Sequence, residues 1–352
     1  MSLLPSLTLL ALAATPHHSQ DIDSVVRTFT AKHLFNGNVL VLKQGKTLFQ
    51  KSYGMANMEL NVRNSPRTKF RIGSVSKQFT AMLIMMLKQE GKLDLNAKLT
   101  DVLPWYRKDT GDKITIHHLL THEAGIPNFT TNEAFADLDN NDYTRQQVAE
   151  KYCSGNLEFE PGSKFKYNNA DYYLLGCIIE TLEKKSFTEV LHEKILKPLG
   201  MNDSGVDNWY FLEKNRASGY TYFQGEYQNV QGMNPDATVF TAGSLISTCG
   251  DMAKYQSALF GGKLLNAENL ALFLKPNLGN YAYGTYVNTF TPKGMASKVT
   301  AIGHNGGIRG FSTSMIRFAE DDMTIILLDN STTHTRGNIE EITMGIYKAL
   351  KK

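Results

Sequence analysis

Residues 70–91, FRIGSVSKQFTAMLIMMLKQEG, form the stretch that decides the fold. Ser74 and Lys77 stand three residues apart near its start, and the residues from Phe79 to Leu87 are almost all apolar. A helix that is apolar on every side is a buried helix. Positions i and i+3 of a helix share a face, so we expect the Lys77 amine to reach the Ser74 hydroxyl.

A buried lysine in this position favours nucleophilic chemistry. Burial and the positive end of the helix dipole both disfavour the ammonium, so the pKa of Lys77 should fall. A neutral amine beside a serine hydroxyl is a general base beside a nucleophile, and backbone N–H groups at a helix start suit an oxyanion. The alternative is that Ser74 caps the helix and Lys77 is a surface residue. A second pair with this spacing, Ser163 and Lys166, lies in an extended stretch and does not suggest a helix.

Tyr167 and Asn169 are candidate partners, within PGSKFKYNNADYYLLGC at residues 161–177. They stand two apart at the end of an extended run, so both side chains can point the same way. A tyrosine hydroxyl can relay a proton from the serine to a leaving group, and its pKa falls if Lys77 is charged nearby. Asn169 can hydrogen-bond the lysine and a substrate amide. The alternatives are a core aromatic role for Tyr167 and a helix-capping role for Asn168 and Asn169.

The motif IGHNGGIRGFS, residues 302–312, supplies further candidates in a β-rich part of the chain. His304 is followed by Gly306 and Gly307, and glycines let a substrate backbone approach a strand closely. The Gly307 N–H could be a second oxyanion donor. Arg309 could bind a substrate carboxylate if its side chain faces the cleft, because arginine is the usual bidentate partner of carboxylates; otherwise it is a surface arginine. A glycine-rich turn, or less favourably a phosphate loop, would explain the glycines without catalysis.

Together these motifs resemble a known superfamily. SxxK at a buried helix start, YxN, and an HxG strand, in that order, resemble the serine β-lactamase and penicillin-binding protein superfamily. The chain looks most like the class C branch, which also holds DD-carboxypeptidases, D-amino-acid peptidases and amidases, and β-lactamase-fold esterases. The likeness covers nearly all of the chain after its N-terminal segment. It implies an acylated Ser74, activation by Lys77 and Tyr167 with the base left open, substrate binding by Asn169, His304 and Gly306, and an oxyanion hole from the Ser74 and Gly307 amides.

The third motif narrows the expected activity. Dedicated class C β-lactamases resemble KTG here, and their cationic lysine favours the carboxylate of a β-lactam. This chain has HNG, and a histidine with a pKa of about 6.5 is mostly neutral at pH 7. We therefore expect a penicillin-binding enzyme of the DD-carboxypeptidase or D-amino-acid peptidase type, acting on a peptide or small molecule with a carbonyl centre and needing no cofactor. The alternatives are a carboxylesterase of the β-lactamase fold, a class C-type β-lactamase, and a penicillin receptor that does not turn over.

Strand patterns lie at both ends of the chain and helices lie between them. Hairpins are predicted at residues 39–53 and 311–330, and helices at residues 21–33 and 338–350. This order favours an α+β fold, an α/β sandwich whose antiparallel sheet is built from both chain ends, plus an inserted all-α domain. The resemblance adds that the fold is β-lactamase/transpeptidase-like.

The predicted domains follow from this order. We expect residues 20–92 and 234–352 in the α/β domain and residues 93–233 in a mostly helical domain, with the active site at their interface. Helices are also expected over residues 114–127 and directly after Gly243.

Residues 1–19 predict a signal peptide and leader. The segment MSLLPSLTLLALAAT is apolar and offers an Ala11-Leu12-Ala13 cleavage pattern, which predicts a periplasmic or secreted protein. The alternative is a short helix or membrane anchor, although the run is too short to span a bilayer comfortably. Any membrane association would therefore depend on an uncleaved N-terminus.

Several other functions have no support in the sequence. A net charge of +3 without basic clusters gives no support for nucleic-acid binding. Cys153, Cys177 and Cys249 are too widely spaced for a disulfide framework and are expected to be buried thiols. His118 and His122 have the i,i+4 spacing of a zinc pair, but no third ligand is evident, so no metal is expected. No G-x-S-x-G elbow is present, which disfavours an α/β-hydrolase.

Overall fold

The structure is a computed structural model that describes residues 16–230, 232–333 and 338–351. Its α-helices are α1 Pro16–Thr30, α2 Ser76–Gln89, α3 Leu99–Val102, α4 Lys108–Gly111, α5 Ile116–Leu120, α6 Asn132–Asn140, α7 Arg145–Tyr152, α8 Asn169–Glu183, α9 Phe187–Leu191, α10 Lys197–Leu199, α11 Pro235–Thr238, α12 Cys249–Phe260, α13 Ala267–Phe273 and α14 Asn338–Ala349. A π-helical turn, His192–Leu196, joins α9 to α10.

The strands range from two to ten residues in length. They are β1 Gly37–Lys43, β2 Lys46–Ser52, β3 Met55–Asn57, β4 Val62–Arg63, β5 Phe70–Arg71, β6 Gly205–Val206, β7 Tyr220–Phe223, β8 Glu226–Asn229, β9 Leu245–Ser247, β10 Tyr286–Phe290, β11 Val299–Ile308, β12 Phe311–Phe318, β13 Met323–Asp329 and β14 Ser331–Thr333.

Six strands form the central antiparallel sheet, in the order β10-β11-β12-β13-β1-β2. Val39 of β1 pairs with Leu327 of β13, so strands from the two ends of the chain are neighbours. Both predicted hairpins are present, as β1–β2 and β12–β13. The sheet built from both ends and the helices between its halves confirm the predicted fold class.

The two faces of the sheet pack against different helices, because side chains alternate along a strand. Val39 and Val41 belong to a core shared with the terminal helices, where Ile22, Ile342 and Ile346 are buried. Leu40 and Leu42 belong to the larger core, which contains the apolar residues of α2, α8 and α12. Every residue of α2 from Ser76 to Leu87 is buried. The predicted buried helix is therefore the centre of the larger core.

Two local predictions are wrong, and one region holds strands that were not predicted. The helix expected over residues 114–127 ends at Leu120, because His122 adopts a left-handed backbone with φ 60°. Residues 245–247 after Gly243 form β9, which pairs with β5 and β6, and the helix begins only at Cys249. The region predicted as mostly helical also contains β6, β7 and β8, and β7 pairs in parallel with β14.

The predicted leader falls mostly outside the described residues. Residues 1–15 lie outside the described residues, and residues 16–19 belong to α1. In the part of the chain that is described, no helix combines the length and the apolar character needed to cross a bilayer. The three cysteines are buried free thiols, as expected.

Candidate active site

Ser74 lies where β11 packs against a 3-10 turn, Gly73–Val75, that precedes α2. Gly73 has a φ of 50°, and a Cβ added there would lie 2.9 Å from the Gly307 nitrogen. A Cβ added to Gly306 would lie 2.0 Å from the Ile72 carbonyl oxygen and 3.2 Å from the Ser74 nitrogen. Glycine is therefore required at both positions for the strand to meet the turn. This approach brings the Ser74 and Gly307 backbones together, as an oxyanion hole requires.

Lys77 is fully buried, and its Nζ atom meets three oxygen atoms. Nζ lies 2.7 Å from Asn169 Oδ1, 2.8 Å from the Ala242 carbonyl oxygen and 3.3 Å from Ser74 Oγ. The two carbonyl oxygens can only accept hydrogen bonds. A neutral amine can donate to both and keep its lone pair for the Ser74 hydroxyl. An ammonium would donate to Ser74 as well and could not take its proton.

Burial decides the protonation state of Lys77. Desolvation lowers the pKa of Lys77 far below its usual value, and the Asp171 carboxyl opposes this only in part. The rings of Tyr167 and Tyr172 lie 4.8 and 5.5 Å from Nζ, which favours an ammonium by about 1–2 kcal/mol. A buried, uncompensated ammonium costs more than this, so the neutral amine is favoured.

The Tyr167 hydroxyl is buried beside the serine. It has no hydrogen-bond partner of good geometry among the described residues. Burial raises the pKa of Tyr167, and the neighbouring Ser74 hydroxyl lowers it only in part. A charged Lys77 nearby would lower the pKa of Tyr167, but the neutral amine of Lys77 is favoured. Burial therefore favours the neutral phenol of Tyr167, which can donate a proton.

Asn168 and Asn169 have different roles, one in helix capping and the other in hydrogen bonding to Lys77, which the sequence alone did not assign separately. The Asn168 side chain caps α8 by accepting the Ala170 N–H. The Asn169 amide reaches Lys77 through Oδ1 and donates through Nδ2 to Thr130 Oγ1 at 3.3 Å. Asn169 therefore holds the lysine and leaves the cap to its neighbour.

His304 is buried and neutral. Burial, followed by the proximity of Lys77, lowers the pKa of His304 to about 3. Its Nδ1 contacts the Asn305 carbonyl oxygen, which can only accept, so Nδ1 carries the hydrogen. Nε2 then holds the lone pair, and it has no partner among the described residues. The histidine thus brings no positive charge to the position where the resemblance expects a lysine.

Ser74 lies between two cavities. The larger, of about 480 Å³, is also lined by Tyr167, His304, Asn305 and Glu340. The Asn305 side chain donates to Glu340 Oε1 at 2.9 Å. Glu340 was not predicted as a site residue, because a glutamate at the start of a terminal helix is most simply a solvent-exposed helix residue.

The smaller cavity, of about 230 Å³, is lined by Ser74, Asn169, Gly307, Arg309 and Phe135 among others. The Arg309 guanidinium lies 5.6 Å from the Phe135 ring centroid and donates to the Gly232 carbonyl oxygen at 3.3 Å. Arg309 therefore borders the cleft. This is the position that the sequence-based prediction required for Arg309 to bind a substrate carboxylate. A Cβ at Gly307 would meet open space.

His122 proves to be part of this region rather than of a zinc pair. His118 accepts the Thr115 N–H within the capping box of α5, whereas His122 follows the helix end and contacts Asp171 at 3.0 Å. Across the described ranges, no group of three or more His, Cys, Asp and Glu side chains could hold a metal ion. Asp171, which stands two residues after Asn169 on an apolar helix, was not predicted as a site residue.

Comparisons with known proteins identify the family of this chain. A family model described as Beta-lactamase matches residues 22–343. Protein flp of Staphylococcus aureus (strain MW2) is 28% identical over 90% of this chain, which spans 64% of that relative's length. Penicillin-binding protein 4* of Bacillus subtilis (strain 168) is 28% identical over 89% of this chain and 72% of its own.

A solved structure shows the same fold. D-amino acid amidase from Ochrobactrum anthropi SV3, complexed with L-phenylalanine amide, aligns with a TM-score of 0.83 and 23% identity. The alignment covers 95% of this chain and 98% of the amidase. At this identity the likeness concerns the fold alone.

Proposed function

Since the chain belongs to the beta-lactamase family, we propose that it is a serine hydrolase, that it hydrolyses D-amino-acid peptide or amide bonds through an acyl-enzyme on Ser74, and that it recognises penicillins. The observation that carries this proposal is the hydrogen bonding of Lys77. Two acceptors engage the hydrogens of its buried amine and leave the lone pair for Ser74 Oγ.

Each step has a group in place. Lys77 accepts the Ser74 proton as Oγ attacks the carbonyl carbon, and the Ser74 and Gly307 N–H groups stabilise the oxyanion. Tyr167 then donates its proton to the leaving group and recovers one from the protonated Lys77. The leaving group departs and an ester remains on Ser74. A water molecule hydrolyses this ester by the same path and restores the free serine.

The neutral His304 argues against a dedicated β-lactamase. Such an enzyme needs a cation for the β-lactam carboxylate, and desolvation keeps His304 uncharged. The same observation favours a carboxylesterase as the second candidate, because an uncharged alcohol leaving group needs no cation in this cavity. A penicillin receptor without turnover differs from the lead proposal only in the rate of deacylation.

Intact-protein mass spectrometry after addition of benzylpenicillin tests the proposal. We expect a penicilloyl adduct on the parent protein and none on Ser74→Ala, and the decay of the adduct measures turnover. An adduct on both proteins would refute Ser74 as the nucleophile. If neither folded protein forms an adduct, hydrolysis of p-nitrophenyl esters by the parent and not by Ser74→Ala would replace the peptidase proposal with the esterase.

A further inference from the structure

His122 and Asp171 form a buried pair next to the catalytic group. Their side chains are 0% and 1% exposed, and His122 Nδ1 lies 3.0 Å from Asp171 Oδ2. The His122 ring centroid lies 4.5 Å from that of Tyr167. The mechanism described above uses neither residue.

The position of one proton in this pair follows from a third contact. The backbone N–H of Asn168 points at His122 Nδ1 at 3.2 Å. A backbone N–H can only donate, so Nδ1 must be the unprotonated nitrogen of the ring. A short contact between an unprotonated Nδ1 and an ionised carboxylate would bring two acceptors together. The contact is favourable only if Asp171 carries the proton.

We propose that Asp171 is a protonated carboxylic acid that donates to His122 Nδ1, and that it thereby leaves Lys77 without a counter-ion, as a neutral amine. Asp171 and His122 are positioning residues, since neither touches the reacting atoms. The proton on Asp171 is inferred independently of the proposed function. Only the importance of a neutral Lys77 rests on that function.

The surroundings of Asp171 agree with a neutral carboxyl. Its Oδ1 atom has no hydrogen-bond partner among the described residues, so a carboxylate would be buried and poorly hydrogen-bonded. The titratable groups that face it are Lys77, His122, Tyr106, Cys153 and Tyr172. Lys77 forms its hydrogen bonds elsewhere, and burial lowers the pKa of His122 far below its usual value.

Two effects oppose the proposal. The first is that His122 Nε2, which carries the ring hydrogen in this tautomer, is buried without a hydrogen-bond partner among the described residues. The second is that Asp171 lies in the first turn of α8, where the helix dipole favours a negative charge. This preference is smaller than the cost of burying a carboxylate without a contacting cation. Burial accordingly raises the pKa of Asp171 far above its usual value, and Lys77 opposes this only in part.

The pair also holds the segment that carries Tyr167. The His122 carbonyl oxygen accepts the Lys166 N–H at 2.9 Å, and its ring nitrogen accepts the Asn168 N–H. The residues on both sides of Tyr167 are therefore fixed to one histidine. A protonated Asp171 is the second donor to Nδ1, and it shares the single lone pair of this nitrogen with the Asn168 N–H.

Infrared spectroscopy and NMR of the substrate-free protein test the proton directly. We expect the difference spectrum of the parent against Asp171→Asn at neutral pH to show the C=O stretch of a protonated carboxyl, because Asp329, whose buried carboxyl has a pKa raised to about 7, is common to both proteins. The ¹⁵N shifts of His122 should show an unprotonated Nδ1 and a protonated Nε2. A carboxylate at Asp171, or a proton on Nδ1, would overturn the proposal whether or not the protein has the proposed activity.

The pH dependence of acylation tests the consequence for Lys77. Asn can donate from its amide as the neutral acid does, so Asp171→Asn should acylate within about threefold of the parent, with the acidic limb of the profile unchanged. Asp171→Ala, which cannot donate, should acylate more slowly. If Asp171 were instead the counter-ion of Lys77, Asp171→Asn would move the acidic limb to lower pH by a unit or more, and the proposal would fail.

Discussion

Lys77 is the residue on which the proposed chemistry depends, and its neighbours allow a specific test. Lys77→Met keeps most of the buried volume and removes the amine. Loss of a positioned general base costs about 10²–10⁴ in rate, so we expect the rate of penicilloyl-adduct formation to fall by that factor while the fold persists.

The chain contains a matched control for this variant. Lys166 stands three residues after Ser163, the second pair with the same spacing, but its amine is exposed and pairs with Glu158 at 2.6 Å. Lys166→Met should acylate at the parental rate. Acylation by Lys77→Met at the parental rate would contradict the assigned role.

His304 should make the protein sensitive to acid. Its pKa is about 3 when folded and about 6.5 when unfolded. The unfolded state therefore binds the extra proton between these values, and stability falls as pH drops through this window. We expect the parent to lose up to about 1.4 kcal/mol per pH unit relative to His304→Gln.

Denaturant unfolding of both proteins from pH 7 to pH 4 measures this difference. Other buried groups, including His122, contribute to both proteins and largely cancel. A difference in unfolding free energy that does not change with pH would show that His304 titrates normally in the folded state.

At the residue scale, the sequence predicted which residues form the site better than it predicted their protonation states. The spacing within each short motif predicted which side chains share a face, and packing of the two helix starts then brings Lys77 to both Ser74 and Asn169. Asp171 went unrecognised because a carboxyl near a helix start suggests a solvent-exposed residue. Only the tertiary contact with His122 shows that it is buried.

Strand β11 and the turn before α2 are the elements that form the proposed oxyanion hole. Gly306→Ala would place a Cβ 2.0 Å from the Ile72 carbonyl oxygen, so the strand must move away from Ser74. We expect Gly306→Ala to abolish acylation and to lower the melting temperature. Gly307→Ala projects into open space instead and should melt like the parent while acylating more slowly.

Thermal unfolding and adduct formation measured on both variants separate the two roles. Equal loss of stability in the two proteins would contradict the close approach at Gly306. Unimpaired acylation by both would place the second oxyanion donor elsewhere.

At the element scale, helices and hairpins with long periodic patterns were predicted well. Short strands that depend on pairing with distant residues were not. The hairpins β1–β2 and β12–β13 and the helices α2 and α14 follow from local patterns. β9 is a run of three buried residues that is a strand only because β5 and β6 pair with it. The parallel pair of β7 with β14 joins residues more than a hundred positions apart, which local patterns do not reveal.

Charged residues are distributed unevenly along the cleft, and this distribution affects which substrates are favoured. Tyr167, the proton donor, lines the larger cavity and is not among the residues that line the smaller one, so the leaving group belongs in the larger cavity. Among the described residues that line the larger cavity, Glu340 is the only acidic one, and His304 is neutral there. Arg309 lies on the opposite, acyl side. The cleft therefore disfavours a carboxylate on the leaving group.

This distribution predicts a preference between two otherwise identical peptides, one releasing D-alanine and the other D-alaninamide. We expect higher kcat/KM for the amide, since Glu340 repels the carboxylate of D-alanine. Repulsion between charges at about 4 Å is worth on the order of 1–4 kcal/mol near a surface, so Glu340→Gln should narrow the preference several-fold. Glu341→Gln, a neighbouring exposed glutamate of α14, is the control and should leave it unchanged. A parent enzyme that prefers the D-alanine peptide, with a ratio insensitive to Glu340→Gln, would instead support a carboxypeptidase.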